Sequence, residues 1–521
     1  MQKSFFFFEK KYFFLSITLI LASFFYSLNL HQYIYDGHHH GIMYQNATDF
    51  LNLKKPFKEI YIQYGILTTI IHSVSLLLFG KFVYVLTFVT VIFYSLTVYF
   101  IFLITSRIIN EKYAFISVLI ILANHPIPWL PWSNYIAYFF LTLSILFFIK
   151  SGRYSFFVSG FFLGLCVLSR QDFFIPIFFS LSLYSLIFFL RKDQKKNNLE
   201  IIKIFLGFIL PLLCFLVYII TNNLYLDWIK YLLIPSLFLE LYNITILDLV
   251  INYLKFFLST SFINFINKPQ YLLISIILII NILFLFLFTF KKKNILIFIS
   301  LLSLALSSVS INMELFRLYT SVSIGIISLL YVISISHKEI KRLSIFFLIL
   351  ISSFSFIFYS TGNYDVFKKI DKSKTFYKNK SPEFRFFKWE SHRVNTVNSI
   401  VNLNKILHTN CNIEYAENLT FDNFFNINLN LNRIKLIPHV KSDIKNKKIF
   451  TLFDRGFVSK INKLITKENI ILFVTGNNDM YDEGNIVISN NYSSKLIDIN
   501  SANDKPIILR IYYPSKCNIK S

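Results

Sequence analysis

From residue 13 onward the chain alternates long runs of Ile, Leu, Phe and Val with short polar breaks. A run of roughly 20 apolar residues matches the hydrocarbon core of a bilayer. Eleven runs come near that length, at 13–30, 83–106, 108–124, 134–150, 155–169, 172–190, 201–220, 271–290, 295–311, 319–336 and 343–360. The pattern predicts an all-α polytopic membrane protein with about eleven crossing helices. Runs 108–124 and 155–169 are short and must tilt little, thin the bilayer or lean on neighbours.

The breaks give the orientation. With the N-terminus inside, the inner loops carry Arg107 and Lys112; Lys150 and Arg153; Arg191, Lys192, Lys195 and Lys196; Lys291 to Lys293; and Lys338, Lys341 and Arg342. Every short basic loop then lies on one side, as positively charged loops do on the cytoplasmic face. The opposite side receives three long segments, 31–82, 221–270 and 361–521. Within the first, Ile42, Met43, Ala47, Phe50 and Leu51 recur at helical spacing, which predicts an interfacial helix. Residues 66–79 form a further apolar stretch ended by Gly80, too short to count as a span. Segment 221–270 mixes Trp228, Lys230, Pro235, Glu240, Asp248 and Lys255 into apolar sequence and reads as interfacial helices.

At Thr361 the sequence turns polar and rich in Asn and Lys. The division predicted is 1–360 in the membrane and 361–521 as a small mixed α/β domain outside it. Val394–Leu407 has helical periodicity, while "IILFVTG", "NIVIS" and "PIILRIYYP" are β-branched and aromatic runs bounded by turn residues.

Composition narrows the class. At 55% hydrophobic residues with 62 Phe and 31 Tyr, the chain holds more apolar surface than one soluble core buries. The formal charge of +24 is dispersed in short clusters between apolar runs, so it orients helices and does not form a nucleic-acid surface. Lys3, Lys10 and Lys11 precede the first run and no A-x-A site closes it, so an uncleaved span is expected. Cys166 and Cys214 lie in apolar runs and read as core; Cys411 and Cys517 fall in the polar part, where an oxidising compartment would permit a disulfide. The Lys, Asn, Ile and Phe bias resembles that of an AT-rich bacterial genome; with the orientation given by the basic loops, the expectation is a bacterial inner membrane, a cytoplasmic N-terminus and a periplasmic C-terminal domain.

Candidate chemistry collects on the outer side. Asp36 follows the first span, where a carboxylate facing lipid costs about 3 kcal/mol and so faces a bundle interior or water. The alternative is an exposed acid before a turn glycine. His38, His39 and His40 come next; successive residues cannot all reach one ion on a regular backbone, so Asp36, His39 and His40 are weak metal candidates and local hydrogen bonding is the plainer reading. Gln63 and Tyr64 offer amphipathic donors beside Gly65, although a Tyr there also suits an interfacial belt. In "NHPIPWLPWSN" the tryptophans are first of all interface anchors and secondarily a sugar-stacking surface. Arg170 and Arg317 break the charge rule by lying outside, beside Asp172 and Glu314; each is either an anion ligand or a partner of the adjacent acid.

The order of these features resembles the GT-C superfamily of membrane glycosyltransferases, especially the bacterial branch related to protein O-mannosyltransferases and the aminoarabinose and galacturonic acid transferases of lipid A. In "DGHHHGIMYQNATDFLNLKKPFKEIYIQYGILTTIIHSVSLLLFG", 36–80, Asp36 matches the family's first-loop acid, Ala47 its helix, Phe57 with Glu59 the middle element, and Tyr64 with Gly65 the turn. "GLCVLSRQDFFIP", 164–176, looks like a second family segment. Gly37 stands where many relatives carry a second acid, and Ile66 where a proline is usual. The resemblance covers residues 1 to about 340 and implies inverting transfer of a sugar from a polyprenyl-phosphate donor to a lipid, glycan or protein acceptor of the cell envelope. It implies Asp36 as base, Arg170 or Arg317 at the leaving phosphate, and His38, His39, His40, Glu59, Gln63, Tyr64 and Asp172 as substrate contacts. A transporter or flippase would want charges in mid-span and inverted repeats, whereas the charges here sit at span ends. A non-catalytic anchor for the C-terminal domain would be indifferent to Asp36.

Overall fold

The computed structural model describes residues 10–34, 37–58, 60, 62, 64–128, 130–150, 152, 154–190, 195–232, 269–288, 294–309, 323–360, 376–378, 384–390, 449–452, 470–476, 492–499 and 507–514. Fourteen helices are described: α1 Lys10–His31, α2 Gly37–Leu51, α3 Ile66–Phe79, α4 Val83–Ile108, α5 Glu111–Asn124, α6 Ser133–Lys150 and α7 Ser155–Ser169; then, after a 3-10 turn at Gln171–Phe173, α8 Phe174–Leu190, α9 Lys195–Thr221, α10 Tyr225–Leu232, α11 Pro269–Phe288, α12 Asn294–Ser307, α13 Ile326–Ile335 and α14 Lys338–Ser360. Each of the eleven predicted runs overlaps one of them in part or whole. Among the described residues, five helices are long and apolar enough to cross a bilayer, within α1, α4, α6, α9 and α14. The chain is a helical membrane protein. Of the other predicted spans, α5 and α12 have 14 residues each, so at about 1.5 Å per residue they reach little over 20 Å. The break between α4 and α5 is set by Asn110, whose side chain accepts from the Tyr113 amide at 3.1 Å and caps α5.

Apolar side chains face both ways. Phe102, Tyr135, Phe173, Phe284 and Phe298 are enclosed, while Phe25 on α1, Val217 on α9 and Phe346 on α14 are exposed, as helix faces toward lipid are. Cys214 is exposed on α9, contrary to the core position expected, whereas Cys166 is buried. Trp132 is also buried and so packs inside instead of anchoring at the interface. Between helices, the Ser144 and Ser159 hydroxyls meet at 3.0 Å and those of Ser300 and Ser328 at 3.0 Å. Helices α7 and α9 approach by their backbones: a Cβ on Gly160 would run into the Ile204 carbonyl, one on Gly164 into Pro211, and one on Gly207 into the Phe157 carbonyl.

The chain falls into two compact units. One comprises Met1–Asn29, Lys54–Ile71 and Phe88–Lys369; the other comprises Leu30–Leu53, His72–Thr87 and Ile370–Ser521. Residues 30–53 and 72–87 thus fall in the same unit as the C-terminal residues. There, β1 (Phe376–Lys378) pairs antiparallel with β2 (Lys388–Glu390). A four-stranded mixed sheet runs in the order β3 (Ile449–Leu452), β4 (Ile470–Gly476), β6 (Ile507–Pro514), β5 (Tyr492–Ile499), with β3 and β4 parallel. Strands β4 and β6 are the predicted "IILFVTG" and "PIILRIYYP". "NIVIS", the helix predicted at 394–407, Cys411, Cys517 and residues 233–268 lie outside the described residues.

Candidate functional site

In segment 31–82 the helical spacing of apolar residues gives α2, which begins at Gly37 and so takes in the histidines. Helix α3 is amphipathic with its polar side inward: Thr68, Thr69, His72, Ser73 and Ser75 are buried, while Val74, Leu77, Leu78 and Phe79 are exposed. A helix arranged in this way presents hydrocarbon to lipid and hydroxyls to the protein interior.

Within the first unit, the turn before α3 docks on the turn after α7. The Gln171 amide donates to the Tyr64 carbonyl at 2.8 Å, and the Thr68 hydroxyl donates to the Ser169 carbonyl at 2.8 Å. Gly65 lies flat on this contact, with the Leu168 and Ser169 carbonyls where a Cβ would sit. Gly65→Ala is therefore expected to cost about 1–3 kcal/mol and to raise amide hydrogen exchange at 64–70 and 169–173 together.

This junction holds Arg170. Its Nε and Nη2 donate to the two oxygens of Asp172, both at 2.7 Å, in a planar fork. The guanidinium lies over the Tyr64 ring at 5.6 Å and the Phe173 ring at 5.3 Å. Its side chain is 5% exposed against 32% for Asp172, so a buried cation is held by an acid that still meets the outside. Burial pulls the Arg170 pKa down, but Asp172, by charge and by hydrogen bonding, and then Tyr64 and Tyr138 push it up, and the net direction is up. The Nη1 group has no hydrogen-bond partner among the described residues. Because Asp172 neutralises the charge, what Arg170 offers a ligand is hydrogen bonding, with little net attraction for an anion.

Tyr138 also lines a cavity of about 20 Å³ with Tyr94, Thr97, His125, Tyr135 and Ser323. That is room for one water and none for a sugar. The His125 Nε2 meets the Tyr135 hydroxyl at 2.9 Å, and the Tyr94 hydroxyl donates to the His125 carbonyl. Burial lowers the His125 pKa to about 3, so the ring is neutral.

Phe57, in the middle element of the family-like segment, is buried with φ +64°. This left-handed conformation costs an L residue about 1–2 kcal/mol. It is held by the Phe57 amide donating to Ile60 at 3.1 Å and by ring contact with Phe215 at 6.0 Å.

In the second unit, His40 is fully buried and its Nε2 meets the Thr87 hydroxyl at 3.1 Å. The Tyr44 hydroxyl donates to the Lys81 carbonyl at 2.8 Å, and the Ser73 hydroxyl to the Ala47 carbonyl at 3.0 Å. His38 is placed by its backbone in the first turn of α2, and His39 is half-buried beside it. Since α2 is a regular helix, His39 and His40 diverge by about 100°, and among the described residues no group of three His, Cys, Asp or Glu is arranged to hold a metal. Of the predicted site residues, the structure brings Tyr64, Arg170 and Asp172 together; Asp36, Glu59, Gln63 and Arg317 lie outside the described residues. Thr68 and Asp49 were missed. Thr68 belongs to the inward polar stripe of α3, and Asp49 is a buried acid on α2, marked in sequence only by its place within an apolar helical repeat.

No family model and no curated protein matches the chain. A solved structure of an Archaeoglobus fulgidus oligosaccharyltransferase, in complex with zinc and sulfate, is similar at 12% identity with a TM-score of 0.44. The match covers 81% of this chain and 57% of that one, so the chain spans a little over half its length. At that identity and score the likeness carries neither fold nor activity over.

Proposed function

We propose that this chain is an integral-membrane glycosyltransferase that moves a sugar from a polyprenyl-phosphate donor to a cell-envelope acceptor. One observation carries the reading. The two segments that resemble the GT-C glycosyltransferases, 36–80 and 164–176, are far apart in sequence yet dock on each other through Tyr64, Gly65, Ser169 and Arg170. In the proposed reaction Asp36 takes the proton of the acceptor hydroxyl. The hydroxyl oxygen then bonds to the anomeric carbon as the bond to phosphate breaks, with inversion, and polyprenyl phosphate leaves. Arg317 supplies positive charge to that phosphate, Arg170 supplies hydrogen bonds, and His38, His39, His40, Glu59, Gln63, Tyr64 and Asp172 contact the substrates. The metal set of Asp36, His39 and His40 enters no step, because the two described members diverge on α2. The enzyme lies among inner-membrane lipids, and residues 361–521 form a periplasmic α/β domain.

The test is release of polyprenyl phosphate from liposomes that contain the purified protein, an acceptor extract and undecaprenyl-phosphate hexose, aminopentose or uronic acid. Asp36→Asn is expected to lower turnover about 10²- to 10⁴-fold with an unchanged melting profile, and Arg317→Gln to weaken donor use. Wild-type turnover by Asp36→Asn would remove this residue from the reaction.

A further inference from the structure

The C-terminal residues 384–390 form a strap within the second unit. The Lys388 amide donates to the Gln32 carbonyl at 2.7 Å, just past the end of α1, and the Lys388 ammonium sits over the Tyr33 ring at 5.5 Å. One residue earlier, Phe387 is fully buried, with its ring edge-on to His40 at 6.1 Å and to Tyr84 at 5.9 Å. Phe386 packs on Phe82 at 5.1 Å and Tyr84 at 5.8 Å, and the Arg385 guanidinium covers Phe82 at 5.1 Å. The strap thus grips the chain at Gln32 and Tyr33 and also at His40, whose Nε2 meets the Thr87 hydroxyl.

We infer that Phe387 is a positioning residue: it fixes His40 and with it the first turns of α2. The physical reason is the fit of a fully enclosed aromatic ring. Its loss leaves a void beside His40 that the two-residue grip of Lys388 does not fill, and the imidazole loses the wall that encloses it. The importance of this for sugar transfer rests on the function proposed above, in which His40 contacts substrate and Asp36 falls between Tyr33 and His40 in the sequence.

The experiment compares Phe387→Ala and Phe387→Leu in the full chain in nanodiscs, by hydrogen exchange and by turnover with the undecaprenyl-phosphate sugar that the wild type uses. Phe387→Ala is expected to speed amide exchange at residues 41–47 at least tenfold while β4 and β6 keep wild-type rates. Turnover should fall at least tenfold with less than a threefold change in donor KM, and Phe387→Leu should restore both to within threefold. Unchanged exchange at 41–47 overturns the clamp. Faster exchange with normal turnover overturns the positioning role. A wild type that transfers no sugar defeats the proposed function, and the exchange rates still decide the clamp.

Discussion

Asp172→Asn is expected to lower the melting temperature of the protein in detergent more than removal of any other described polar side chain. The amide is uncharged and turns a donor toward a guanidinium that has only donors, so Arg170 keeps its charge with no counterion. Removing one partner of a buried pair costs about 3–5 kcal/mol, and the partial exposure of Asp172 places this case near the lower figure. The tyrosine and phenylalanine faces over Arg170 soften the loss but do not replace an anion. The double variant Arg170→Gln with Asp172→Asn should recover part of the stability, because no charge is then left buried. If Asp172→Asn melts like the wild type, the pair does not brace the junction.

The second large effect concerns α7 and α9. Gly160→Leu places a branched side chain against the Ile204 carbonyl, and since the obstacle is backbone, no rotamer relieves it. The helices must part along their whole contact, which is expected to cost about 3 kcal/mol or more and to reduce the yield of monodisperse protein on size-exclusion chromatography. Substituting a serine on the lipid-facing side, Cys214→Ser on α9, should leave the same profile unchanged.

The positions of the apolar helices were legible because apolar periodicity is a local property. The start of α5 was not: the predicted run began at 108, whereas α4 continues to Ile108 and Asn110 caps α5. Crossing length was less legible: the run at 295–311 continues in sequence past Ser307, where α12 ends, and apolar character alone does not say where the backbone leaves the helix. Arg170 stood out because it broke the charge rule, and Tyr64 because it sat beside a glycine. Their contact was not legible, since more than a hundred residues separate them and nothing in either stretch names the other. The inward polar stripe of α3 was present in the spacing of Thr68, Thr69, His72 and Ser73, but total hydrophobicity concealed it. Phe387 gave no signal, because its partners lie at the opposite end of the chain.

The bond from the Lys388 amide to the Gln32 carbonyl also sets an order of assembly. Ribosomes add about 5–20 residues per second, so roughly 20 to 70 s pass between synthesis of α2 and arrival of the strap that holds it. Throughout that interval segment 31–82 exists without its clasp, and a nascent chain released before Phe387 never acquires one. Maturation of this part of the protein therefore waits on a residue made 347 positions after His40.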